Sequence, residues 1–241
     1  MSTVRKGTAL VTGGARRIGL DIAIQLSLLG FRVALRYNKS KTEALQAQKD
    51  IVAIGGSCEL FSCDLNDPKE TGGLIKTVRK QFPDLQLLIN NASVFERASL
   101  TDFTSESFDK HMSVNLKAPM ILIKDFAKIC KAGHIINIID TNYVKNQTSH
   151  LTYLLSKKGL ADITKIAALE LAPDIRVNAI APGYILPPED VGRLSMGTRT
   201  KSIPLQAQGD ITSATRTIEF LVSNPYVTGQ TIFIDGGEHL V

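Results

Sequence analysis

An α/β fold built on one doubly wound parallel sheet of about seven strands, with helices on both faces, is predicted by three observations. Short apolar runs alternate with stretches of helical apolar spacing, the pattern of parallel β-α-β units. A glycine-rich turn, Gly13-Gly14 to Gly19, separates the first apolar run from the first helical stretch. No change in composition marks a boundary, so residues 1–241 read as one domain.

The elements follow in order. Residues 8–12 form the first strand and 18–29 the first helix. Ile18, Ile22, Leu26 and Leu29 line one stripe of that helix, and Gly30 closes it. Residues 31–37 are a second strand, and 41–54 a helix ended by Gly55-Gly56. Residues 57–63 are a third strand, ending in Asp64. Helix 67–82 starts on Asp67 as cap with Pro68 at its first position. Strand 85–89 leads into Asn90-Asn91-Ala92-Ser93. A long helix is expected over 104–130, then strand 133–139, helix 150–171, strand 175–180, helix 211–221 and strand 230–234. The segment 182–204, with four prolines, breaks the rhythm and reads as a loop over a site.

Composition excludes several classes. Hydrophobic residues are 44% and charged residues 21%, ordinary for a soluble globular chain. No apolar run approaches a membrane span, and no signal-like segment opens the chain, so a cytoplasmic location is expected. Cys58, Cys63 and Cys130 match no metal-ligand spacing and read as buried thiols; no metal is expected. The net charge of +5 comes without long basic runs or aromatic–basic interleaving, which argues against nucleic acid. A small phosphate-bearing ligand accounts for it, as do scattered surface lysines.

Open α/β sheets bind ligands beyond the carboxyl ends of their strands. Gly13, Gly14, Arg17, Ile18 and Gly19 lie between strand one and helix one, where backbone N–H groups and a positive helix end suit a pyrophosphate. Strand two ends in Arg36-Tyr37-Asn38-Lys39-Ser40, without the carboxylate that would hold a ribose 2′-hydroxyl. Arg36, Lys39 and Arg17 can neutralise a 2′-phosphate and Ser40 can donate to it, so NADP(H) is expected. Asp64, with Leu65 beside it, ends strand three near the adenine. Asn91, Ala92 and Ser93 end strand four near the nicotinamide ribose. Asp140 ends strand five, Tyr153 and Lys157 share one face of the next helix, and Pro182-Gly183 ends strand six.

The motifs Thr12-Gly13 to Gly19, Asn90-Asn91-Ala92, Asn115, Tyr153-x-x-x-Lys157, Arg176-Val177-Asn178, Pro182-Gly183 and Asp235-Gly236-Gly237 resemble the short-chain dehydrogenase/reductase family over the whole chain. The resemblance implies a Rossmann-type fold, hydride transfer from a nicotinamide, Tyr153 as proton donor and Lys157 holding the ribose and lowering the Tyr153 pKa. It implies a water held by Asn115 and a homotetramer packed through helices 104–130 and 150–171. Two positions depart from the pattern: Arg17 stands at its middle glycine and Asp140 at its Ser. Both look like the pteridine reductase and dihydromonapterin reductase branch, as does Asn91-Ala92-Ser93-Val94-Phe95. That branch implies a pterin or folate substrate, with Phe95 stacking on the flat ring. Arg17 and Ser93 would lie beside the ring, and Asp140 with Tyr153 would face the nitrogen that is protonated. The amide of the cofactor would meet backbone near Ile185 and Leu186. The alternatives are a reductase of another carbonyl substrate, such as a 3-oxoacyl group or a sugar, and an NADP(H)-binding protein without catalysis.

Overall fold

The computed structural model describes residues 6–185 and 200–241. Seven strands form one parallel sheet in the order β3-β2-β1-β4-β5-β6-β7. They are β1 (Lys6–Thr12), β2 (Phe31–Tyr37), β3 (Cys58–Ser62), β4 (Leu85–Asn90), β5 (Gly133–Ile138), β6 (Ile175–Pro182) and β7 (Thr231–Ile234). The order reverses between β1 and β4, so a crevice opens beyond their carboxyl ends.

Alternate strand residues supply the two cores. Ala9, Val11, Val33 and Leu35 pack under α1 (Arg17–Leu28), α2 (Lys41–Ala53) and α7 (Ile211–Ser223). Leu10, Ala34, Leu88 and Ile135 pack under α3 (Pro68–Gln81), α5 (Ala118–Cys130) and α6 (Leu151–Glu170). Each fully buried Leu or Ile contributes roughly 1.5–3 kcal/mol of transfer free energy. Both strand faces are therefore apolar, as parallel sheets require.

Local signals explain the ends of elements. Asp67 accepts from the Lys69 backbone N–H at 2.7 Å, and Pro68 fills the first turn of α3. The helix expected over 104–130 is divided. It consists of α4 (Ser105–Met112), a π-turn at Ser113–Lys117, and α5. Pro119 has no N–H to give the Asn115 carbonyl, which removes one α-helical bond at that turn. No helix among the described residues is long and apolar enough to cross a membrane.

Candidate active site

The cleft lies at the reversal of strand order and holds about 1000 Å³. Gly13, Arg17, Ile18, Arg36, Tyr37, Asn38, Lys39, Ser40, Asp64, Leu65, Asn91, Ala92 and Ser93 all line it. Its glycines are required by close approach. A Cβ on Gly19 would fall 2.2 Å from the Gly13 carbonyl oxygen, and one on Gly13 would fall 3.0 Å from Ala92 Cα. The Asn91 amide donates to the Thr12 and Gly13 carbonyls at 3.0 and 3.1 Å. The Thr12 hydroxyl oxygen accepts from the Asn91 and Ala92 N–H groups at 3.0 and 3.1 Å. Asn91 thus fixes the glycine turn. No side chain caps the start of α1, whose positive end faces the cleft.

Arg17 takes φ +53°, the left-handed region that suits glycine. That conformation costs a non-glycine residue about 1–3 kcal/mol and marks functional sites. The turn keeps the backbone path of a glycine while presenting a guanidinium to the cleft.

Arg36 borders the cleft, but its guanidinium is largely engaged within the protein. Arg36 is only 5% exposed, and its Nε donates to the Cys63 carbonyl at 2.8 Å. A second guanidinium nitrogen, Nη2, donates to the same oxygen. Arg36 therefore ties β2 to the end of β3. Lys39, Arg17 and Arg16 are further cations of the lining; Arg16, absent from the sequence reading, lies 4.0 Å from Glu43. Asp64 Oδ1 accepts from the Asn66 N–H at 2.9 Å, which shapes the turn after β3. Glu106, Asp109 and Val114, from α4 and the π-turn, also line the cleft.

The catalytic candidates meet beside the Ser93–Val94 end. The Tyr153 hydroxyl donates to Asp140 Oδ2 at 2.9 Å. Asp140 Oδ1 accepts from the Asn142 backbone N–H at 2.8 Å and from its amide at 2.9 Å. Lys157 Nζ donates to the Ile138 carbonyl at 2.9 Å and lies 5.7 Å from the Tyr153 ring centre. Burial pushes the Lys157 ammonium down to about 8, although Asp140 opposes this. The expected lowering of the Tyr153 pKa by Lys157 is overturned. Burial, then the charge of Asp140 and its hydrogen bond, raise the phenol well above its ordinary value. The phenol is therefore held protonated, as a donor must be.

Asn115 is fully buried and uses its whole side chain. Its Oδ1 accepts from the Val94 N–H at 2.8 Å and the Ser93 hydroxyl at 3.2 Å. Its Nδ2 donates to the Val94 carbonyl at 3.0 Å and Ser156 Oγ at 3.1 Å. Both lone pairs and both hydrogens of the side chain are thus engaged within the protein. Asn115 anchors the 93–94 segment to α6.

Phe95 is 55% exposed, as a stacking platform requires. It is backed by His150, with ring centres 4.5 Å apart and planes 15° apart, and stands edge-on to Tyr153 at 4.7 Å. The strap carrying it bridges to the start of α6, where Leu151 N–H donates to the Ala98 carbonyl at 2.9 Å. His111, buried beneath, accepts from the Glu96 N–H at 3.2 Å. His150, His111 and Asn142 escaped the sequence reading; for Asn142 the Asp-x-Asn spacing of a side-chain turn was the available signal.

Pro182 ends β6, and the Gly183 N–H donates to the Ile234 carbonyl at 3.0 Å. The Ile185 carbonyl accepts from Gln208 at 2.9 Å. Of the loop expected over 184–204, residues 186–199, including Leu186, lie outside the described residues. No cluster of metal-binding side chains occurs among the described residues.

The family model described as Enoyl-(Acyl carrier protein) reductase matches residues 13–239. Two curated 3-oxoacyl-[acyl-carrier-protein] reductases are similar throughout. The Synechocystis protein is 32% identical, covering 98% of each chain. The Staphylococcus aureus protein is 34% identical, covering 97% of this chain and 98% of its own. Among solved structures, FolM alternative dihydrofolate reductase 1 from Brucella canis, complexed with NADP, superposes with TM-score 0.93 at 36% identity, covering 99% of this chain and 96% of its own. The Brucella suis protein, also with NADP, gives 0.92 at 36% identity, covering 98% and 96%.

Proposed function

The chain belongs to the short-chain dehydrogenase/reductase family, and from that premise we propose that it is an NADPH-dependent reductase of a dihydropterin or dihydrofolate, acting on a C=N bond. The observation that carries the reading is the Tyr153–Asp140 hydrogen bond, 2.9 Å long, beside a cleft whose lining includes Arg17. A Ser at position 140 would serve a carbonyl. A carboxylate that accepts the phenol's hydrogen instead orients that proton, which the phenol can pass to a ring nitrogen. The Brucella relatives, named alternative dihydrofolate reductases, support it.

The residues present fit the cofactor. Gly13 and Gly19 let the turn pack closely on itself and on the end of β4 at the start of α1, where a pyrophosphate would meet backbone N–H groups, and Arg16, Arg17 and Lys39 suit a 2′-phosphate. When bound, NADPH supplies hydride to the carbon of the C=N bond. Lys157 holds the ribose with its ammonium. Tyr153 delivers the proton to the adjacent nitrogen, and Asp140, held through Asn142, stabilises the pair. Arg17 and Ser93 border the ring, and Phe95 covers its face. Exposed Met120 on α5 and Leu155, Ile166 and Leu169 on α6 support a homotetramer, which sedimentation checks.

The curated relatives favour a second reading, reduction of a 3-oxoacyl carbonyl. NADPH oxidation with 7,8-dihydromonapterin, dihydrobiopterin and dihydrofolate, beside 3-oxoacyl thioesters and simple ketones, separates the two. Turnover confined to thioesters would overturn the first. Tyr153→Phe is expected to lower kcat/KM about 10³-fold, within the range of general acid catalysis.

A further inference from the structure

We infer that Asp235, acting through Thr141, is a positioning residue for the Asp140–Tyr153 pair, holding the turn that begins at Asp140 against the end of β7. The inference rests on the catalytic reading of that pair. Asp235 follows β7, and its side chain is 3% exposed. It receives the Thr141 hydroxyl on Oδ2. The same oxygen accepts the His239 backbone N–H at 2.8 Å and lies 2.8 Å from that ring's Nδ1. Oδ1 accepts the Gly237 N–H at 3.0 Å. Burial opposes ionisation of this carboxyl, but the bonds from Thr141 and His239 outweigh it and hold it below the ordinary carboxylate range.

A stack of rings reinforces the bond. Phe233 lies 3.9 Å from His239 and 5.6 Å from Tyr143, nearly parallel to both. Tyr143 belongs to the same short 3-10 turn, Thr141–Val144, which Asp140 caps. Two contacts thus join that turn to residues more than 85 positions later in the chain. The end of β6 is pressed onto the same group, since a Cβ on Gly183 would fall 2.5 Å from Asp235 Cβ. The Leu205 N–H donates to the Gly236 carbonyl at 3.1 Å, so the chain after the substrate loop returns to the same anchor.

Thr141 is fully buried and adjoins Asp140, whose Oδ2 accepts the Tyr153 hydroxyl. Releasing Thr141 would free the turn to move the carboxyl relative to the phenol, and displacements near 1 Å cost on the order of 10²-fold in rate. Asp235 touches neither phenol nor substrate in this account; it sets where the touching group stands.

Thr141→Val removes the hydroxyl and keeps the volume, whereas Thr141→Ser keeps the hydroxyl. The Val variant should lose about 10-fold in kcat with NADPH affinity, read by NADPH fluorescence, within about 2-fold of wild type. The Ser variant should restore kcat. In a Tyr153→Phe background, Thr141→Val should change the residual rate little, because the group it positions is gone. An unchanged kcat in Thr141→Val, or an equal loss in both backgrounds, overturns the inference. Should Thr141→Val fail to fold by circular dichroism, Asp235→Asn carries the same expectations. If Tyr153→Phe itself retains activity, the catalytic reading fails instead, which distinguishes the two.

Discussion

The two halves of the candidate site, the cleft over β1 to β4 and the cluster around Tyr153, are built by different means. The first, from β1 to β4, is shaped by backbone. Its glycines admit a close approach, and Thr12 with Asn91 locks the turn to β4. The second, from the Phe95 strap to the end of β7, is shaped by side chains far apart in sequence. Tyr153 reaches Asp140, His150 backs Phe95, and Thr141 reaches Asp235. Backbone geometry suits a ligand shared by many enzymes, whereas side-chain geometry can be changed residue by residue to suit a substrate.

Mutations should break these halves differently. In the cleft over β1 to β4 the largest effect expected is that of Gly19→Ala, whose Cβ would meet the Gly13 carbonyl oxygen at 2.2 Å and which should weaken NADPH binding by more than about 10²-fold in a fluorescence titration. Lys157, beside Tyr153, gives a pH test. Its pKa of about 8 leaves it charged below that pH and neutral above. Reduction should therefore fall with a limb near pH 8, while the raised phenol of Tyr153 stays protonated through that range. Lys157→Met should lose about 10²-fold in kcat/KM at pH 7 and lack the limb. The same depression means the unfolded chain binds the extra proton between about 8 and the ordinary lysine value of 10.5. Wild-type Tm should accordingly gain on the Met variant as pH rises through that window.

Arg17→Gly separates backbone from side chain within one residue. Relief of the positive φ should leave Tm unchanged or raise it by a few degrees, while pterin turnover falls about 10-fold. A fall in Tm would show that the guanidinium, not strain, dominates there. The smallest effect belongs to His150→Ala. Loss of the stack on Phe95 should raise KM for the pterin about 3–10-fold and spare kcat and NADPH affinity, in line with the worth of one aromatic pair.

Much of this was legible in the chain. The alternation of apolar runs set the sheet and its seven strands, and Asp67-Pro68 announced α3 where it begins. The residues placed beyond strands one to four do line one cleft. The misses share a cause. A basic residue at a strand end reads as solvent-facing, yet Arg36 turns inward because the Cys63 carbonyl, 27 positions later, needs a donor. For Asn115 the resemblance implies only a water, whereas the fold adds four side-chain bonds to Ser93, Val94 and Ser156.

The sequence by itself determined the parallel sheet, the crevice at its reversal, the glycine turn and the identities of Asp140, Tyr153 and Lys157, because periodicity and turn chemistry are local. Only the tertiary structure decided what those groups do to one another. The phenol gives its hydrogen to Asp140 and is pushed up rather than down, and Asp235, 94 residues beyond Thr141, holds the turn between them. The strength of a charge or a hydrogen bond depends on distance and burial, which are properties of the folded chain.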